Sequence, residues 1–427
     1  MIRPTPLWRM VAVAGAASLV LAACGGDDGD DTAGTDTETA ETEETEEAAT
    51  AEGDGTLTLG TLLPETGNLA FLGPPEFAGV DLAIQEINEG GGVLDNDVVK
   101  IDSDSGDATT DIASQSVQRL LSENVDAIIG AASSGVSFNV IDTITNAGVV
   151  HFSPANTSPD FTDYDDGGLY FRTAPSDVLQ GRVLGDLILN DGNATLGILA
   201  IDDPYGAGLA ESTQGSFEEG GGEIVANLSY NPQAPNFSAE VGEILAAAPD
   251  AIALIAFDET TRMIPELETQ GFDMSKVYFV DGNLADYSAE QGFPSLEGAK
   301  GTLPGAQAPD EFRQRLLEVD PELTEFSYAA ESYDAAILIA LAAQAAGDDS
   351  GQSIASELAN VSRDGTACTG FAECKELIDA GEDIDYDGIS GPIEFSEQGD
   401  PTVATIGIYQ YNADNTFTFL EGLEGEV

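Results

Sequence analysis

Two short loops carry residue types that could grip a small charged molecule. Gly130-Ala131-Ala132-Ser133-Ser134-Gly135 follows an apolar run and leads straight into a helical pattern. Ser153-Pro154-Ala155-Asn156-Thr157-Ser158-Pro159 follows the next apolar run. The first N–H groups of a helix lack intrahelical partners, so they suit a carboxylate. Ser134 and Thr157 can add hydroxyls. Ser and Thr also serve as turn formers and helix caps, which explains either loop alone. Two such loops after neighbouring strands point to a site. Later strand ends offer matching groups. Asp281 can receive an ammonium, and Tyr205 and Phe257 can wall an apolar side chain. Each of these also fits a capping or core role.

Other chemistry is weaker. The chain has one histidine, His151, and the Ser134 loop lacks the nucleophile-elbow pattern, which argues against a hydrolase. Asp383, Asp385, Asp387 and Gly388 followed by Glu394 fit the spacing of a calcium-binding loop. Yet Gly391-Pro392-Ile393 leads into an extended segment where that motif needs an exiting helix, so no metal is the preferred reading. Cys368 and Cys374, with five residues between them, read as a small disulfide-closed loop in an oxidising compartment. No cofactor is expected.

Alternating strands and helices must position these groups. Strands are expected at 57–63, 98–102, 125–130 and 149–152, with helices at 74–90, 110–123 and 136–147 between them. The rhythm resumes with helices near 178–189, 207–219, 238–247 and 260–270 and strands at 195–201, 223–228, 251–256 and 276–280. This is an α/β pattern of parallel sheets covered on both faces, in two runs and hence two lobes. Ligands in such sheets bind beyond the carboxyl ends of the strands, where the loops above fall. The tail differs: helices near 309–317 and 326–345, then short strands from about 391.

The amino-terminal segment sets the compartment. Arg3 and Arg9, an apolar run at 11–21 and then Leu21-Ala22-Ala23-Cys24 read as a signal peptide, 1–23. The last four residues resemble the bacterial lipobox, which makes Cys24 the lipid-modified start of the mature chain. Residues 24–56 are acidic, small and free of large apolar side chains, and read as a solvated tether. The whole chain carries a formal net charge of −65 and only four lysines. That excludes nucleic acid as a partner, because phosphate contacts need Lys and Arg clusters. So acidic a surface also suits salt-rich surroundings.

A family resemblance joins these readings. Glu76-Phe77-Ala78-Gly79, Ile87-Asn88-Glu89-Gly90-Gly91, Ile129-Gly130, Ser153-Pro154-Ala155-Asn156-Thr157, Tyr205-Gly206-Ala207-Gly208 and Ser390-Gly391-Pro392-Ile393-Glu394-Phe395 occur in that order. Together they resemble type I periplasmic substrate-binding proteins of the branched-chain amino-acid and amide uptake class. The resemblance implies two doubly wound lobes, 57–175 plus 305–390 and 176–304 plus 391–427, joined by three crossings near 172–177, 302–308 and 390–400. It implies that Ser134 and the Thr157 amide hold a ligand carboxylate. The Ala155 carbonyl, the Thr157 hydroxyl and Asp281 would hold its ammonium, and Tyr205 would close over it. Leucine-binding members carry an aromatic near the position of Leu72, whereas here the aromatic is Phe71, so strict leucine specificity is not implied. The expected function is a monomeric, lipid-anchored, extracytoplasmic protein that captures an amino acid or amide for an ABC importer permease. A sensor that presents its ligand to a membrane receptor is the alternative, ahead of a hydrolase.

Overall fold

The computed structural model describes residues 53–427. The signal peptide, Cys24 and most of the acidic tether expected from the sequence lie outside the described residues. The first sheet contains β1 (Thr58–Leu63), β2 (Val99–Asp104), β3 (Ala127–Gly130), β4 (Val150–Ser153) and β5 (Tyr170–Arg172). All its pairings are parallel, in the order β2-β1-β3-β4-β5. Between them run α1 (Gly73–Glu89), α2 (Ile112–Ser122) and α3 (Ser134–Thr145). α1 opens with Pro74 and Pro75 in its first turn, where the missing N–H groups cost nothing.

The chain then crosses to α4 (Asp177–Asn190) and builds a second sheet. Its strands are β6 (Thr195–Ile201), β7 (Glu223–Tyr230), β8 (Ala251–Ile255), β9 (Val277–Phe279) and β10 (Lys300–Pro304). Helices α5 (Pro204–Glu219), α6 (Ser238–Ala246) and α7 (Thr260–Thr269) connect them. A second crossing after β10 returns to α8 (Asp310–Val319), α9 (Ala329–Ala346), α10 (Gly351–Leu358), β11 (Thr366–Cys368), α11 (Phe371–Asp379) and β12 (Ile384–Tyr386). The third crossing delivers β13 (Val403–Tyr411) and β14 (Phe417–Glu426), which pair antiparallel beside β10. The second sheet therefore runs β14-β13-β10-β9-β8-β6-β7. The architecture is α/β, with two mainly parallel-sheet lobes joined by three crossings.

Strand order reverses at one place in each sheet. From β1 the chain steps one way to β2 and the other way to β3; from β6 it steps to β7 and then back across to β8. Loops at such switch points part and leave a crevice at the carboxyl ends. The two crevices face one another. The chain enters at the opposite, amino edge of the first sheet, where Gly53 N donates to Asp348 Oδ2 (2.9 Å) and Thr58 N to Asp126 Oδ2 (2.8 Å).

Several elements depart from the sequence expectation. The tail strands are long, nine and ten residues, because β13 is buried against β10 and the exposed β14 continues its ladder. The charges Glu421, Glu424 and Glu426 hide that strand from a hydropathy reading, and they suit an edge that must not pair further. Helix α10, capped by Ser350, was not expected, nor was α11. Helix α9 is buried along fifteen of its eighteen residues. Its alanines let α1 come so close that a Cβ on Gly79 would stand 2.2 Å from the Ala329 carbonyl oxygen. Cys368 and Cys374 are joined by a disulfide between β11 and α11.

One buried ion pair ties the crossings together. Arg172, at the end of β5, has no solvent exposure. Its Nε donates to Asp400 Oδ1 at 2.6 Å. Nη1 donates to the carbonyls of Asn156 (3.3 Å) and Ser158 (2.8 Å), and Nη2 to Thr162 Oγ1 (3.2 Å). Thr162 in turn donates to Asp400 Oδ2 at 2.6 Å. Breaking one partner of such a pair strands a charge, so Arg172→Met should cost about 3–5 kcal/mol in urea unfolding. Arg172→Met/Asp400→Leu should recover a substantial part of that loss.

Candidate functional site

The site forms where the two crevices meet. Leu69 and Leu72 come from the loop after β1, Ala132 to Ser134 from the loop after β3, and Ala155 and Thr157 from the loop after β4. The second lobe supplies Tyr205 after β6, Phe257 after β8, and Asp281 and Gly282 after β9. Tyr328, at the start of α9, completes the wall. The free space they enclose is about 10 Å³, room for roughly one water.

Local sequence explains each placement. Gly130 adopts φ +125°, and a Cβ there would lie 2.0 Å from the Leu62 carbonyl oxygen, so only glycine lets the chain turn out of β3 beside β1. Ser133 then caps α3 by accepting from Val136 N. Ser134 is the first helical residue, and its Oγ accepts from Ser158 N at 3.3 Å. This contact clips the β3 and β4 loops together. Across the cleft, Asp203 caps α5 by accepting from Gly206 N at 2.7 Å, which presents Tyr205 to the cavity. The Tyr205 and Phe257 rings stack at 5.4 Å and 10°, forming one flat apolar wall.

Of the residues singled out in the sequence, Ser134, Ala155, Thr157, Tyr205, Phe257, Asp281 and Leu72 line this one cavity. Phe71 does not; it packs half-buried against the neighbouring core. The calcium-like pattern lies elsewhere. Ile384 to Tyr386 form β12, an extended strand paired with β11, not a loop wrapped around an ion. Asp385 is held up by burial, with Asp387, Glu394 and Asp364 adding repulsion. No group of three or more His, Cys, Asp or Glu among the described residues is arranged to hold a metal.

Electrostatics give the site its character. Asp281 is buried, and three neutral donors converge on it: Tyr205 OH (2.7 Å) and Gln180 Nε2 (3.0 Å) to Oδ1, and Tyr328 OH (2.8 Å) to Oδ2. Burial still raises its carboxyl above the ordinary range, against the pull of those donors. Behind it stands Asp177, the first residue of α4, with no exposure. The Thr157 hydroxyl lies beside Asp177 without a well-formed hydrogen bond to either carboxyl oxygen. Burial raises Asp177 well above its usual value and the nearby Asp281 raises it further, against the pull of the Thr157 hydroxyl and the Arg172 charge. No Lys or Arg lines the cavity. The closest cation, Arg172, is already committed to Asp400. Asp281 lines the cavity, Asp177 stands behind it, and no Lys or Arg lines the space opposite the N-terminal N–H groups of α3. The arrangement can take a molecule bearing an ammonium and a carboxylate.

Asp177, Gln180 and Tyr328 were not found from sequence. Asp177 sits in Pro175-Ser176-Asp177, which reads as an ordinary helix start; its burial comes from the crossing that folds it behind Thr157. Tyr328 lies inside a segment that reads as continuous helix, and only its left-handed φ of +60° turns it into the cleft.

Comparison with known proteins places the chain in a family and gives its fold. The chain belongs to the periplasmic binding protein family, whose sequence model matches residues 56–416. It is 28% identical over 358 residues to the chemotactic signal transduction system substrate-binding protein BasB of Halobacterium salinarum, covering 81% of this chain and 84% of that one. Its fold matches the branched-chain amino acid transporter substrate-binding protein LivJ of Streptococcus pneumoniae, solved with isoleucine. The TM-score is 0.70 at 22% identity, over 87% of this chain and 100% of that one. It also matches an R. palustris ABC transporter solute-binding protein solved with benzoate. There the TM-score is 0.68 at 19% identity, over 87% and 98% of the two chains. The fold is that of type I binding proteins.

The uncompensated carboxylates make a stability prediction. A raised native pKa means that the folded state holds protons the unfolded chain releases near pH 4. Their burden on stability is therefore greatest at high pH and falls as pH drops toward the unfolded value. Asp177→Asn should raise the free energy of unfolding of the ligand-free protein by about 0.5–2 kcal/mol at pH 8, and less at pH 5. Denaturant titrations at the two pH values measure both.

Proposed function

We propose that this chain is an extracytoplasmic solute receptor that captures a small amino acid or short amide between its lobes and delivers it to an ABC importer. The observation that carries the reading is the pair of buried carboxylates, Asp177 and Asp281, with no cation among the cavity-lining residues. Neutral donors only partly offset the cost of a buried carboxylate, and a guest ammonium removes more of that cost while its own carboxylate meets the α3 amide groups. Leu72, Tyr205 and Phe257 offer an apolar flank suited to a side chain of branched-chain size. The enclosed space is small, so the guest is admitted by parting of the two lobes about the three crossings and is held by their closure.

The constellation supports binding over catalysis: Ser134 is engaged with Ser158, and His151 lies fully buried in β4, where burial lowers its imidazole to about 4. Export under the signal peptide, lipidation at Cys24, tethering by 24–56 and a monomeric state complete the proposal. Gly53 lies at the amino edge of the first sheet, at the pole remote from the cleft at the carboxyl ends. One observation favours a second role. The Halobacterium relative is named for chemotactic signal transduction, so presentation of the loaded protein to a membrane receptor is the alternative.

A thermal-shift and calorimetric screen of amino acids, short amides and aromatic acids tests the reading. A one-to-one ligand that raises Tm and is recovered unchanged is expected. Asp281→Ala should weaken L-leucine by about 2 kcal/mol or more, roughly thirtyfold, and spare a neutral amide. Unchanged leucine affinity in that variant would remove the ammonium assignment.

A further inference from the structure

A groove of about 540 Å³ lies between the lobes beside the second crossing. Leu303 and Pro304 form its floor, and Tyr409, Phe417 and Phe419 give it an aromatic side. It shares one wall with the ligand cavity: Tyr328 lines both. The cavity itself offers about 10 Å³, so the nearest room for anything beyond a compact head group lies past this ring.

Two polar side chains of the groove, Glu331 and Arg313, keep hydrogen-bonding capacity in hand. Glu331, in the first turn of α9, lines the groove together with Tyr328, the residue that precedes the helix. It is 4% exposed, and no donor among the described residues other than its own backbone N–H reaches its carboxyl. Burial lifts that carboxyl to about 8, so near pH 7 it is mostly the neutral acid, with one hydrogen to give and an oxygen free to accept. Gly305 leaves the space this group needs, since a Cβ there would stand 2.0 Å from Glu331 Oε1. Arg313 also lines the groove; it stacks over Phe326 at 5.2 Å, and its buried Nε has no partner among the described residues.

We infer that the groove is a second subsite, reached past Tyr328, that receives an amide at the far end of the ligand. A carboxylic acid and an amide match in a paired donor–acceptor contact, and Arg313 provides a further donor to the amide carbonyl. The substrate class is then an amino acid whose side chain ends in an amide, longer than leucine. This inference rests on the ammonium-binding reading of the cavity.

Calorimetry on the full chain with L-leucine and N5-ethyl-L-glutamine tests it. The amide probe should bind about tenfold more tightly than leucine. Thr418→Trp, on the exposed wall of the groove, should cost the amide probe about tenfold and leave leucine within about threefold. Glu331→Leu should lose the amide's advantage and Glu331→Gln should retain it, since glutamine offers the same donor and acceptor. If leucine binds and the amide gains nothing, or Thr418→Trp leaves the amide unaffected, the subsite is overturned while the cavity reading stands. If neither probe binds, both fall.

Discussion

The Arg172 guanidinium holds the architecture together. It joins the end of β5 to Asp400 on the last crossing, and its two further carbonyl contacts fix the Asn156–Ser158 backbone. Thr157 lies between those two carbonyls, so the same cation that ties two crossings also sets the loop facing the ligand. Arg172 N adds a bond to the Gly399 carbonyl at 3.1 Å. Because the group is planar and always charged, it can satisfy several acceptors at once in a place without water. Hinge geometry and first-lobe site geometry are therefore one problem with one solution.

That solution leaves an imbalance on the other side of Thr157. Asp177 and Asp281 are neighbours, and the groups that donate hydrogen bonds to Asp281 are neutral: two phenols and an amide. Neutral donors soften a buried carboxylate but do not cancel it. Stability is forgone at this point, and a guest that supplies the missing charge recovers it. Closure and recognition draw on the same term, which gives a two-lobed protein a reason to shut only on the right molecule.

Much of this was legible from sequence because it depends on local rules. Strand–helix alternation placed the loops after β3, β4, β6, β8 and β9 at carboxyl ends, and Ser134, Ala155, Thr157, Tyr205, Phe257 and Asp281 do meet at one cavity. What stayed hidden depends on tertiary context. Asp177 looks like any helix-start aspartate until the crossing buries it. Tyr328 needed a left-handed turn that no glycine signals. Leu72 and Phe71 are adjacent, and only the loop geometry decides that the leucine faces the cavity. The calcium-like spacing at 383–394 showed the converse: the residue types recur correctly, but a strand holds them extended. β14 was obscured because an edge strand replaces hydropathy with charge.

The amino edge of the first sheet has a mechanical meaning. Gly53 and Thr58 are fastened to Asp348 and Asp126, all in the first lobe and at its pole remote from the cleft. A pull arriving along the preceding chain therefore loads one jaw alone and exerts little torque about the crossings. The other jaw would swing unburdened, so force applied at Gly53 need not bias whether the trap is sprung.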